Sequence, residues 1–270
     1  MNRSKDEPKM KAGLWSVFDA EVRNDTCNHY VRIYAIAISI FVVTMQCFYA
    51  LFKGVLPDYI GQGVSGLLFD ILIGGLLFFL VLLVVKVLYR KHWVHRHRSM
   101  YLAGSWLHVH RRPEDPQYIR VGYVRIRQNF NDVSVVSENF TPKLKNEDTI
   151  IKTGEYTHWK YKLARVESEE VLALFSSTKV SANSNSHKGI HRLSVVCQDD
   201  ETGYPTVLGG EYANVAPSNG RGSVRLYRIS CGGKAPGVSE DTVSFRIEDM
   251  PKSWVYEVLN VLKHNEEQDE

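Results

Sequence analysis

Residues 100–112, MYLAGSWLHVHRR, decide how this chain is read. They follow a basic collar over residues 86–98 that carries Lys86, Arg90, Lys91, Arg96 and Arg98, with His92, His95 and His97 between them. Upstream of the collar the chain runs apolar for long stretches; downstream the hydrophobic period changes to two. A glycine, a tryptophan two places on and a strand-like alternation therefore begin where an apolar segment has just ended.

Residues 33–52 hold no charged side chain and residues 67–85 hold only Asp70. Each run matches the roughly 20 residues an α-helix needs to cross about 30 Å of hydrocarbon. The reading is a hairpin of two transmembrane helices over residues 31–90, joined by a short turn at 54–66. The first run lies too far along the chain, and has a second span too close behind it, to read as a cleaved signal sequence. Arg3, Lys5, Lys9, Lys11, Arg23 and Arg32 precede the first span and the collar follows the second, against Lys53 alone in the turn. The positive-inside rule then puts both termini in the cytoplasm.

The formal charge of the chain is +3. Residues 99–270 hold 21 Lys and Arg against 23 Asp and Glu, so the excess of positive charge sits beside the bilayer. Such a collar suits anionic lipid headgroups and argues against DNA or RNA as the partner. The four cysteines show no metal spacing and read as plain thiols.

After the collar, alternation predicts strands at residues 101–111, 119–128, 133–139, 156–166, 171–177, 190–198, 205–214 and 222–230, separated by turn-rich stretches such as SANSNSHKG and APSNGRG. Residues 242–247 add a possible ninth. Antiparallel strands with no helical pattern between them fit an all-β, eight-stranded closed barrel, which removes exposed edges; a two-sheet sandwich is the rival. Residues 250–264 read as a helix, with Trp254, Val258 and Leu262 on one face, expected to pack on the barrel as a lid or plug. Beyond it lies an acidic tail expected to be disordered. Four segments result: a cytoplasmic N-terminal piece (1–30) with a short amphipathic stretch at 13–22, the hairpin, a sensor barrel (99–230), and a loop, helix and tail (231–270).

Gly104-Ser105-Trp106 resembles the G-x-W signature of lipocalin-like barrels, in which the tryptophan closes the floor and an arginine from the last strand packs across it; Arg228 is suitably placed. In the second span Gly66, Asp70 and Gly74 fall four apart on one helical face, a spacing that lets helices approach and marks a candidate for self-association. The histidines, His108 and His110 included, lack acidic or cysteine partners at ligand spacing, so no metal and no cofactor is expected. No nucleophile elbow, Walker loop, zincin or kinase motif is present, which favours binding over catalysis.

The strands are rich in arginine and aromatic residues. Guanidinium groups match phosphate and aromatic faces stack on bases, so a compact ligand with two phosphates and two bases would use both. The side chains selected on that ground are Tyr123, Arg125, Trp159, Arg192, Tyr212, Asn214 and Arg221. Ordinary outward-facing sheet decoration explains many such residues equally well.

Two N-terminal spans, a basic neck, "LAGSW", "GYVRIRQNFNDVSVVS" and "GGEYANVAPSNGRGSVRLYRIS" together resemble the two-transmembrane β-barrel effectors of bacterial CBASS anti-phage systems, the CD-NTase-associated membrane effectors. The resemblance implies a protein of the bacterial inner membrane that binds a cyclic dinucleotide second messenger, forms a homo-oligomer and disrupts the membrane lipid. It carries no ligand residue over one by one. A membrane-tethered scaffold recruiting a protein partner and a membrane-bound enzyme stay open as alternatives.

Overall fold

The computed structural model describes residues 7–52, 64–167, 169–179, 187–216, 220–231 and 244–269. The turn predicted between the spans lies largely outside them. The chain divides into two compact units, one of which is the helix pair Arg23–Arg96.

α1 spans Glu7–Phe52 and α2 spans Val64–Arg96. The amphipathic stretch at 13–22 is not a separate piece but the early turns of α1. Within these helices Asn24–Cys47 and Ile73–Arg96 are long and apolar enough to cross a membrane. The pair is antiparallel: Phe41 meets Phe78 edge to face at 5.4 Å, and His29 Nδ1 lies 3.1 Å from the Tyr89 hydroxyl. Ile33, Ala37, Val85 and Trp93 are buried, while Ile36, Ile40, Val43, Leu76, Phe79 and Val84 are exposed. Apolar side chains pointing outward all round a helix are what a lipid solvent permits and water does not. Of the Gly66, Asp70 and Gly74 face, the first two side chains lie outside the described set. Gly74 faces open space within the chain, since a Cβ there would meet nothing within 4 Å.

The second unit follows a 3₁₀ turn at Arg98–Met100. Its strands are β1 Gly104–Arg112, β2 Asp115–Asn129, β3 Asp132–Asn146, β4 Thr149–Glu167, β5 Glu170–Lys179, β6 His187–Gln198, β7 Pro205–Ala216, β8 Arg221–Cys231 and β9 Ser244–Arg246. Each of the first eight pairs antiparallel with its neighbour in sequence, and β8 returns to β1. Among the described residues these eight form a closed ring, which decides against two separate sheets. β9 pairs with the start of β4, Thr149–Ile151 against Ser244–Arg246. The strands extend past their predicted ends because the pattern fades at hairpin tips while backbone pairing continues; β3 and β4 run from Thr141 and Thr153 out to Asn146 and Thr149.

The register sorts side chains into two layers. Trp106, Val124, Val135, Leu193 and Leu226 point into the ring, where they pack with Trp159, Tyr161 and Phe175. Leu107, Val109, Val121, Tyr123 and Phe140 point outward, yet they are buried as well. What covers them is α3, Lys252–Asp269, which lies across β1, β2 and β3 with Trp254, Val258 and Leu262 inward. The helix is thus an outer cover, neither lid nor plug: its apolar stripe finds the apolar outer face of β1 and β2. It also runs on through residues predicted to be a disordered tail, a continuation that the good helix propensity of glutamate supports.

One end of the ring is closed as the sequence suggested. Trp106 is fully buried, its Nε1 donates to the Leu102 carbonyl at 2.8 Å, and Arg228 stacks over its ring. Gln128 pins the same end, accepting from Leu102 N at 2.6 Å and donating to the carbonyls of Met100 and Phe130. A buried amide with its groups satisfied in this way holds the entry segment and the β2–β3 turn together.

Candidate functional site

Two residues beyond Trp106 on the same face of β1 comes His108, and two beyond that His110. Where the apolar filling gives way to these imidazoles, the ring holds a cavity of about 350 Å³, inside the range of small-molecule sites and near its lower end. Trp159, Phe175, His110, His191, Tyr212, Asn214, Thr157, Arg112, Tyr118 and Arg120 line it; Arg112 and Tyr118 stand at the turn between β1 and β2, while Arg120 is the cross-strand partner of His110 and Tyr212 that of His191.

Much of the lining is aromatic. His191 lies 4.4 Å from Phe175 and 5.2 Å from Trp159 between ring centres, and His110 lies 5.1 Å from Tyr212. Trp159 Nε1 donates to Asn139 Oδ1, which fixes its plane. Room for His108 comes from Gly122 on the neighbouring strand: a Cβ there would come within 2.5 Å of the imidazole Cε1 and 1.7 Å of the Glu138 carbonyl oxygen.

These histidines are neutral. Burial, with the Arg120 charge beside it, holds His110 down to about 3. Burial presses His108 well below the usual range, helped by the repulsion that a charged imidazole would meet at His110 and His191 and opposed by the Asn139 side chain. His191 is lowered by burial and by His110. Burial raises the Tyr161 hydroxyl, so it stays protonated 3.0 Å from His191 Nδ1. The Nε2 atoms of His108, His110 and His191 are buried without a hydrogen-bond partner. The rings stand edge to face or tilted, and among the described residues no group of His, Cys, Asp and Glu is disposed to hold a metal ion.

The rim is basic. Arg112 stacks on Tyr118 with its guanidinium 4.1 Å from the ring centre, and Arg120 donates to Thr157 Oγ1 at 3.2 Å. No carboxylate is among the described lining residues. By their chemistry, arginines beside neutral rings suit an anionic group and a planar group.

Of the residues selected from sequence, Trp159, Tyr212 and Asn214 line this cavity. Tyr123 and Arg125 lie on the other face of β2. Tyr123 is buried in the outer layer with its hydroxyl 2.8 Å from Ser105 Oγ, and Arg125 pairs in register with Ser105. Arg192 and Arg221 are exposed on the outside, bordering a groove of about 720 Å³ with Glu211 that shares Arg112 and Tyr212 with the cavity, and Arg192 donates to Glu170 at 3.2 Å. The cavity arginines, Arg112 and Arg120, and His191 were not selected. The available signal was parity: 120, 122, 124 and 126 share a face with Val124 and Ile126, whereas 123 and 125 share the opposite one.

Compared with known proteins, the chain matches no protein-family model and no curated protein.

Proposed function

We propose that this protein is a ligand-gated membrane effector: a lipocalin-like barrel that binds a cyclic dinucleotide, and a two-helix hairpin in the bacterial inner membrane, both termini cytoplasmic, that breaches the bilayer when copies assemble. The observation that carries the reading is the ring cavity, with Arg112 and Arg120 at the rim and Trp159, Phe175 and His191 on the floor, in a chain that also carries two apolar helices. Two phosphates would take the guanidinium forks and the bases the aromatic faces. Such a protein is a receptor, not an enzyme, and needs neither metal nor cofactor.

Gating requires that the assembled state bind the ligand more tightly than the single chain does, so that ligand shifts the population. Raised local concentration then favours contacts between hairpins, for which the open Gly74 face of α2 offers room for another copy. The anti-phage setting follows from the resemblance in layout, in which permeabilising the host membrane stops viral spread.

The test is dye release from vesicles of bacterial lipid carrying the full chain, with cyclic di-AMP, cyclic di-GMP and cyclic GMP–AMP added in turn. Release triggered by at least one, and lost in Arg120→Gln, is the expected result. Silence with all of them, together with no binding by calorimetry, would overturn the reading.

A second reading, a membrane-tethered scaffold that recruits a protein partner, is favoured by the exposed Arg192 and Arg221 on the outer groove. It predicts that replacing those two abolishes partner capture and leaves small-molecule binding unchanged.

A further inference from the structure

The cavity sets neutral aromatic and imidazole rings beside two arginines, and that pairing bears on which end of a ligand goes in first. Resting on the reading above, we propose that the ligand enters base first: one nucleobase lies among Trp159, Phe175 and Tyr212 with its polar edge on His110 and His191, while the phosphates stay at the rim on Arg112 and Arg120.

Hydrogen-bond accounting at the floor supports this. The Ser137 hydroxyl donates to the Tyr123 carbonyl at 2.9 Å, so its oxygen can only accept from His108 Nδ1–H, 3.4 Å away. His108 therefore carries its proton on Nδ1 and presents a bare lone pair at Nε2 behind His110. His110 and His191 likewise have Nε2 atoms without partners, and each neutral imidazole offers either a lone pair or an N–H. A phosphodiester has only acceptors, so it pairs with an Nε2 that carries the proton and leaves one that carries a lone pair unmet. A base edge, with its amino or imino donors beside ring-nitrogen and carbonyl acceptors, matches either tautomer.

Size and charge point the same way. A cavity of about 350 Å³ has room for part of a two-base ligand rather than all of it. Of the fixed charges, Arg112 ends β1 at the turn into β2, and Arg120, level with His110 in register, reaches Thr157 and the Tyr118 ring. Among the described residues, the groups facing His110 and His191 are Arg120 from β2, Tyr161 from β4, Tyr212 from β7 and the neighbouring His108, with no carboxylate there to stabilise an imidazolium.

The experiment is calorimetry of the full chain in lipid nanodiscs, with cyclic di-AMP, cyclic di-GMP, cyclic GMP–AMP and inorganic pyrophosphate as probes. Wild-type affinity for the cyclic dinucleotide that binds should change less than about threefold between pH 8 and pH 6. His191→Phe and His110→Phe keep a ring and remove the nitrogens; each should weaken that dinucleotide about tenfold and leave pyrophosphate binding unchanged. Arg120→Gln should weaken both. A rise of tenfold or more on acidification, or equal loss of pyrophosphate and dinucleotide in the histidine variants, would overturn the base-first orientation and leave the receptor reading standing. Binding by none of the dinucleotides would remove both. The wild-type pH profile needs no variant, so misfolding of a Phe variant does not spare the proposal.

Discussion

The guanidinium of Arg228 lies over the indole of Trp106, 4.6 Å from its ring centre, and donates to the Tyr101 carbonyl at 2.5 Å. One strand thus caps the ring with a side chain that another strand holds in place. Trp106→Ala should lower stability by about 3–5 kcal/mol and Arg228→Ala by about 1–2 kcal/mol. Denaturant unfolding of the full chain in detergent, followed by near-ultraviolet circular dichroism, measures both. Similar losses in the two variants would refute a tryptophan floor with an arginine brace.

Gly122 is required by close approach, not by its dihedral angles. With the Glu138 carbonyl oxygen only 1.7 Å from where a Cβ would stand, Gly122→Ala must push β3 away from β2. The expected loss is at least about 2 kcal/mol, seen in the same unfolding experiment. A neutral effect would mean that the strands do not meet in this register.

Lys152 Nζ and Glu138 Oε2 are 3.0 Å apart, with side chains 3% and 10% exposed. Removing Lys152 leaves the buried Glu138 carboxylate without this pairing, so Lys152→Met alone should cost about 3–5 kcal/mol, more than Lys152→Met combined with Glu138→Leu. The double replacement should recover most of that, because it buries no charge at all. A double-mutant cycle reads the difference, and additive losses would contradict the pairing.

The buried histidines set a pH limit on the ring. Their folded values lie below the ordinary 6.5, so the unfolded chain binds more protons as pH falls through that value. Stability is therefore complete above about pH 7 and declines below 6.5, by about 1.4 kcal/mol per pH unit for each histidine kept neutral. For His110 the decline continues to about pH 3. Unfolding curves at pH 7.5, 6 and 5 should show it, and His110→Phe should flatten the slope. A profile unchanged by that substitution would count against a buried neutral imidazole.

On α3, Trp254 is fully buried while Tyr256, two residues on, is 72% exposed. Trp254→Ala should cost about 3–5 kcal/mol and Tyr256→Ala less than about 0.5 kcal/mol. Glu257 anchors the same helix through Arg111 Nε at 3.0 Å and the Tyr227 hydroxyl. Because this contact lies outside the ring, Trp254 variants that stay folded should bind ligand normally in calorimetry.

Much of the architecture was legible. Uncharged runs long enough to cross a bilayer, the change to period two after Arg98, and Trp106 with Arg228 are local or nearly local signals, and each has its counterpart in the structure. Half-legible was the candidate site. Composition points to Trp159, Tyr212 and Asn214, which line the cavity, and to Tyr123 and Arg125, which do not, because aromatic and basic residues occur on both faces of β2. His108 and His110 were noticed and set aside as a weak metal set; their role depends on His191, some 80 residues away, which no spacing brings to mind.

Composition and periodicity alone settle that this chain has two helices fit for lipid and a set of antiparallel strands, since helix length and strand alternation are properties of contiguous residues. Which side of each strand faces the cavity was settled only by ring closure and by α3. Closure gives every strand an inside, and the helix buries part of the outside, so β1 and β2 are covered on both faces and alternation there no longer separates core from surface. A shift of one residue exchanges the face that carries Arg120 for the one that carries Tyr123, and His191 for Arg192, and that choice belongs to partners distant in sequence.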